Sequence, residues 1–231
     1  METVLITGAN RGIGLELARQ YLKKSSRVFA TSRTSESAPS LSELKQSYPD
    51  TLQVLPLEVT DDRSVQTLVE ALRGETIDVL INNAGVSGGK QQDIRSMDYA
   101  WWAHTLAVNA IAPFRVTVAV LDNLRRSRNP RIITLSSQLG SMLRATTTGF
   151  YAYRSSKAAV NKVMQGLAVD LRSENMIVCP VHPGWVQTEM GGANADLSAQ
   201  ESASGLIQLI DRLKLSDSGR FFKWNGEEHP W

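Results

Sequence analysis

A single cysteine in 231 residues leaves no partner for a disulfide, so this chain is expected to rely on its core and to suit a reducing compartment. Neither sign of charge dominates. Twenty-five basic against 23 acidic residues give a net charge of +2, which offers no electrostatic footprint for nucleic acid. No apolar run approaches the roughly 20 residues of a membrane helix. The chain opens directly on a strand pattern, without the charged and apolar regions of a secretory leader. The expectation is a cytoplasmic protein with no nucleic-acid or membrane partner and no metal site. Low-complexity tracts and breaks in composition are also missing, so residues 1–231 read as one domain. Cys179, within the apolar run Met176–Val181, reads as a buried strand residue. The one basic cluster, Arg125, Arg126, Arg128 and Arg131 around Asn129-Pro130, reads as a solvated turn.

What is present is alternation. Short β-branched runs at 3–7, 27–31, 52–57, 77–82, 131–136, 176–181 and 220–224 are separated by helical patterns near 12–24, 41–47, 61–73, 98–127, 151–174 and 199–213. Runs such as Val79-Leu80-Ile81 and Ile132-Ile133-Thr134-Leu135 are continuously apolar, as in a sheet covered on both faces. Strand–helix alternation predicts parallel pairing through right-handed crossovers. The expected fold is α/β, a Rossmann-type doubly wound parallel sheet of about seven strands with helices on both faces. In such sheets a ligand lies beyond the carboxyl ends of the strands. The stretch 98–127 is apolar on more than one stripe, including Trp101, Ile111, Phe114 and Val118, which favours a homodimer or homotetramer.

The first strand runs into Thr7-Gly8-Ala9-Asn10-Arg11-Gly12-Ile13-Gly14. Gly8 permits a tight turn, Gly12 lets backbone approach a phosphate, and Gly14 allows close helix–strand packing. The helix start then presents N–H groups and a positive dipole end to the anion. No Lys-Ser/Thr follows, which counts against a nucleotide-triphosphate loop. At the tip of the second strand, where an acid would grip a ribose 2′-hydroxyl, the chain has Ser32-Arg33 instead. Arg33 and Arg11 converging on that point favour a 2′-phosphate, hence NADP(H) over NAD(H). The missing acid also counts against a methyltransferase.

Tyr153 and Lys157 stand four apart in Tyr-Arg-Ser-Ser-Lys, on one face of the helix from 151. Ser136-Ser137 tip the strand before it, and Asn109 interrupts the apolar helix before that. Taken with TGANRGIG at 7–14, NNAG at 82–85 and HPGWVQTEM at 182–190, these motifs make the chain resemble a short-chain dehydrogenase/reductase over nearly its whole length. HPGWVQTEMGG and the ending GRFFKWNGEEHPW resemble the small carbonyl-reductase-like group that includes sniffer and C-factor proteins.

The resemblance implies hydride transfer between NADP(H) and a small carbonyl or alcohol substrate: an aldehyde, ketone or quinone. It assigns proton donation to Tyr153, substrate orientation to Ser137, a ribose contact to Lys157 and a water-positioning role to Asn109. Lys157, one turn away, is also expected to lower the tyrosine pKa from its usual value of about 10. The implied cofactor-binding set is Gly8, Asn10, Arg11, Gly12, Ile13, Gly14, Ser32, Arg33, Glu58, Val59, Asn83, Ala84, Gly85, Tyr153, Lys157, Pro183, Gly184, Val186 and Thr188. Two departures stand out. Glu58 replaces the usual aspartate near the adenine, and the interval from Ser137 to Tyr153 is lengthened by MLRATTTG at 142–149. That insertion, the glycine-rich segment after Pro183 (a candidate mobile lid) and the tail aromatics Trp224 and Trp231 are the expected substrate walls, with tail packing the simpler account of the two tryptophans. The competing class is an NADP(H)-binding signalling or sensor protein with little turnover.

Overall fold

The computed structural model describes residues 1–33, 39–143 and 149–231. Seven strands form one sheet: β1 (Thr3–Ile6), β2 (Arg27–Ser32), β3 (Leu52–Pro56), β4 (Val79–Asn82), β5 (Arg131–Leu135), β6 (Ile177–His182) and β7 (Phe222–Lys223). Their spatial order is β3-β2-β1-β4-β5-β6-β7, and every pair is parallel. The order in which successive strands are added reverses between β1 and β4, which is the switch point where a doubly wound sheet opens a crevice.

β1, β4, β5 and β6 are buried along their whole length because helices cover both faces, while β3 at the edge exposes Gln53 and Pro56. Alternate residues serve the two sides: Val4, Ile6, Val79, Ile81 and Cys179 enter one core with α1 (Gly12–Lys23), α2 (Pro39–Ser47) and α8 (Ala199–Arg212). Leu5, Leu80, Ile132 and Val178 enter the other with α3 (Asp62–Ala71), α5 (Ala112–Ala119) and α7 (Tyr151–Asp170). Truncating a fully buried residue such as Leu80 to alanine would cost about 2–5 kcal/mol. No helix among the described residues is long and apolar enough to cross a membrane.

Two expectations need correction. The stretch 98–127 is not one helix. It divides into α4 (Tyr99–Leu106), a π-helical turn (Ala107–Ile111), α5 and α6 (Leu121–Leu124). The π turn centres on Asn109, whose side chain bonds to a neighbouring loop, and such turns recur at functional sites. Arg131 is also not part of a solvated turn. It is buried as the first residue of β5, and its guanidinium donates to the Ile210 carbonyl at 3.1 Å and to Glu2 at 3.0 Å. Cys179 is buried as expected, and burial pushes its thiol up to about 12, which leaves it inert as a nucleophile.

Candidate active site

The carboxyl ends of β1, β4, β5 and β6 meet at one edge of the sheet. After β1, Gly8 and Gly12 take positive φ angles of 63° and 55°, which an L side chain tolerates poorly. A Cβ on Gly14 would come within 2.6 Å of the Gly8 carbonyl oxygen, so only glycine lets α1 start here. Arg11 flanks the helix N-terminus in extended conformation, with no side-chain cap and no acid in the first turn. The open N-terminus therefore presents its N–H groups and positive dipole end without a competing carboxylate, as an anion site requires.

Asn83 builds this cradle from the β4 side. Its Nδ2 donates to the Thr7 and Gly8 carbonyls, each at 2.8 Å, while the Thr7 hydroxyl accepts from the Asn83 and Ala84 N–H groups at 3.0 Å. The Asn83 side chain thus shapes the turn rather than pointing outward at a ligand. Gly85 follows, and a Cβ there would press to 3.2 Å from Asn109 Oδ1 and lie 3.8 Å from Lys157 Nζ.

Helix α7 brings the titratable groups to the same place. Tyr153 is hydrogen-bonded through its side chain to Ser137, just beyond the end of β5. Lys157 Nζ stands 5.6 Å from the Tyr153 ring centroid and donates to the Leu135 carbonyl at 2.8 Å. Burial lowers the Lys157 pKa to about 8. The expectation of a depressed tyrosine pKa fails. Burial raises Tyr153 above its ordinary value, and the Ser137 bond only partly opposes that. The phenol is held protonated. Ser137 also accepts from Leu139 N–H at 3.1 Å, capping the short 3₁₀ turn Gln138–Gly140.

Asn109 is buried with its amide bonded at both ends. Its Oδ1 accepts from Val86 N–H at 2.9 Å, and its Nδ2 donates to the Val86 carbonyl at 2.9 Å and to Ser156 Oγ at 3.0 Å. It ties the loop after β4 to α7. Sequence reasoning did not reach Gln92, whose side-chain oxygen accepts from Tyr153 N–H. Its position inside a polar, glycine-rich loop gave no periodic signal.

The segment after Pro183 lies against the glycine turn. Thr188 Cγ2 sits 3.2 Å from where a Gly12 Cβ would be, and Arg11 forms an exposed ion pair with Glu189. Bonds internal to this segment hold it in shape. Gln187 N–H donates to the Leu197 carbonyl at 2.7 Å, Trp185 Nε1 to the Gly191 carbonyl at 2.8 Å and Gln187 Nε2 to the Ala195 carbonyl at 3.0 Å. Thr188 Oγ1 accepts from Gly191 N–H at 3.1 Å. Gly184 and Gly205 both lie against Trp224, and the Trp231 main-chain oxygen accepts from Ser141 Oγ at 2.9 Å. The tail is packed, and it also braces the substrate-side loop. Part of the insertion, residues 144–148, lies outside the described residues.

At the adenine end, Ser32 is buried and Arg33 exposed at the tip of β2. Beyond β3, Glu58 Oε1 accepts from Thr60 N–H at 3.1 Å and Thr60 Oγ1 at 2.7 Å, closing its own turn. Val59 is held from behind by Arg115, which donates to its carbonyl at 3.3 Å.

An open helix N-terminus after β1, a crevice at the switch point and a Tyr–Lys–Ser group beside it define a dinucleotide-binding oxidoreductase. The short chain dehydrogenase family model matches residues 2–198, and the chain belongs to that family. It is 46% identical over 155 residues to the C-signal of Myxococcus xanthus, an alignment covering 67% of this chain and 93% of that protein. The solved carbonyl reductase Sniffer of D. melanogaster superposes with a TM-score of 0.93 at 31% identity, covering 100% of both chains. The NADPH-bound carbonyl reductase from chicken fatty liver gives 0.91 at 33% identity, covering 100% of this chain and 99% of that one.

Proposed function

We propose that this chain is an NADPH-dependent carbonyl reductase in which Tyr153 protonates the substrate oxygen. The observation that carries the reading is the Ser137–Tyr153–Lys157 arrangement, with the phenol kept protonated by burial and bonded to Ser137. When bound, NADPH supplies the hydride that reduces the carbonyl carbon. Ser137 orients the carbonyl oxygen by a hydrogen bond, and Tyr153 transfers its proton to that oxygen as negative charge develops. Carbon gains the hydride and oxygen the proton, so an alcohol results. Lys157, one turn below, holds the ribose hydroxyls and reprotonates the phenolate after transfer. Asn109, whose side chain ties the loop after β4 to α7, positions a water that links Lys157 to solvent.

The start of α1, with Gly8, Asn10, Gly12, Ile13 and Gly14, would hold the pyrophosphate. Ala84, Gly85, Pro183, Gly184, Val186 and Thr188 would bound the nicotinamide end, and Glu58 and Val59 the adenine. The NADPH-bound carbonyl reductase from chicken fatty liver, which shares this fold over its whole length, supports the cofactor choice. The substrate is an aldehyde, ketone or quinone without strong charge, because the flanking segments expose Met142, Leu143, Phe150, Trp185 and Met190.

The test is a carbonyl panel assayed with NADPH and NADH on wild type, Tyr153→Phe and Lys157→Met. Phe keeps the ring packing and removes the proton, so turnover should fall by on the order of 100-fold or more while NADPH affinity stays near wild type. Lys157→Met should lose both turnover and affinity. A fall of less than tenfold in Tyr153→Phe would remove the proton-donor role. The likeness to C-signal favours one further reading, an NADP(H)-binding signalling protein. NADPH binding without turnover on any carbonyl would select it.

A further inference from the structure

Helix α7 carries the proposed proton donor, yet nothing at its own start caps it. Phe150, the residue before it, sits in the left-handed region at φ 55° and ψ 31° and offers no side-chain acceptor. The first N–H groups of a helix lack intrahelical partners, and a Ser or Asp at this position would ordinarily satisfy the third. Here that third group is the N–H of Tyr153 itself. Its partner comes from 61 positions upstream: Gln92 Oε1 accepts from it at 3.1 Å, and the Gln92 main-chain carbonyl accepts from Tyr151 N–H at 3.4 Å.

The other end of the same amide is engaged just as fully. Gln92 Nε2 donates to the Ser87 carbonyl at 2.8 Å and to the Gly89 carbonyl at 2.9 Å, and the residue is 6% exposed. A Cβ on Gly88, at φ 90°, would fall 2.8 Å from the Gln92 amide carbon, so the loop closes tightly around that group. Two donors and one acceptor are therefore used in a fixed sense, with NH₂ toward the loop and oxygen toward the helix. That loop leaves β4 through Asn83-Ala84-Gly85, against Lys157.

We propose that Gln92 is a positioning residue for carbonyl reduction: a remote cap that sets where Tyr153 stands relative to the loop after β4. It acts through the Tyr153 main chain and touches no reacting atom, and it rests on the reading of Tyr153 as proton donor. Its amide chemistry gives a specific test. In Gln92→Met both bonding functions vanish at similar volume. In Gln92→Glu the carboxylate places charge against two carbonyl oxygens, whereas the protonated acid has one O–H to donate and one C=O to accept, which recovers the acceptor and one of the two donor bonds of the amide.

The experiment measures kcat, KM and NADPH affinity, with amide hydrogen exchange at Tyr151 and Tyr153, on full-length wild type and both variants. Gln92→Met should lose kcat by on the order of 10-fold, with KM and NADPH affinity within about twofold, because the donor is misplaced while the binding surfaces remain. Exchange at both tyrosine amides should speed up. Gln92→Glu should regain part of wild-type kcat as pH falls from about 7 toward 5, because burial against two carbonyl oxygens raises its carboxyl above the ordinary value of about 4.3. Wild-type kcat and exchange in Gln92→Met would overturn the proposal, as would a Gln92→Glu to wild-type activity ratio that ignores pH. If Gln92→Met does not fold, the Gln92→Glu pH ratio decides. If wild type itself reduces no carbonyl, the proton-donor reading fails, and unchanged exchange would then show separately that the cap is absent.

Discussion

Gly140 stands against the main chain of Lys157. A Cβ on Gly140 would lie 2.6 Å from the Lys157 carbonyl carbon and 2.8 Å from its oxygen, and neither atom has room to move inside a helix. The contact fixes the distance between the 3₁₀ turn that Ser137 caps and the helix carrying Tyr153 and Lys157.

Gly140→Ala should therefore wedge the turn away from α7. Overpacking of this kind costs about 1–3 kcal/mol. The displacement acts on the separation of Ser137 from Tyr153, so kcat should fall more than NADPH affinity. Thermal unfolding and steady-state kinetics on the same preparation check both halves. A variant with wild-type stability and turnover would show that the turn yields freely.

His182 should make the protein acid-sensitive. It ends β6 buried, with Nδ1 lacking a hydrogen-bond partner among the described residues, and its pKa is lowered to about 4 by burial first, then by His229 and Lys223. Between about 6.5, the value of a free imidazole, and 4, the unfolded chain binds a proton that the native chain refuses. The contribution of this residue to stability is complete above pH 6.5 and is lost as pH falls through that window, by roughly 3 kcal/mol in total. His182→Phe should flatten the dependence. Urea midpoints from pH 4 to 7 for the two proteins measure the difference, and parallel curves would contradict the assignment.

The exposed apolar residues Tyr99, Trp101, Ile111, Phe114 and Val118 on the 99–119 stretch support self-association. Light scattering at micromolar concentration should give at least twice the 25.4 kDa chain mass, and Phe114→Glu should shift it toward that mass. A wild type scattering as a single chain would exclude this interface.

Much of the architecture was legible because a sheet buried on both faces leaves unbroken apolar runs, as at Val79–Ile81 and Ile132–Ile133. Ser137, Tyr153 and Lys157 were singled out by the family resemblance of their motifs, because a Tyr–Lys spacing of four is by itself common on solvated helices. What stayed hidden depends on contacts remote in sequence. Arg131 looked like one of several turn arginines until Glu2 and the Ile210 carbonyl enclosed it. The pKa direction of Tyr153 follows from burial, which one-turn spacing to Lys157 does not reveal. The break at Asn109 needs its loop partner Val86 to be known.

Cofactor choice tests the adenine end. Arg33 is exposed at the tip of β2, and Arg11 pairs with Glu189 across the glycine turn. Both side chains of that pair are largely exposed, so breaking it costs at most about 1 kcal/mol. A charge-assisted contact to a 2′-phosphate returns about 1.5–3 kcal/mol, so Arg11 should leave Glu189 for the phosphate when NADPH binds. Glu189→Gln should then tighten NADPH by up to about fivefold and leave NADH unchanged, since only the phosphate competes for Arg11. Arg33→Asp should act oppositely: it removes a cation, repels the phosphate and offers a carboxylate to a bare 2′-hydroxyl. Wild type should prefer NADPH, and Arg33→Asp should prefer NADH. Measuring kcat/KM with both cofactors on the three proteins separates the outcomes. A wild type indifferent to the phosphate, or an Arg33→Asp variant that still favours NADPH, would mean the 2′-phosphate is not read at this edge of the sheet.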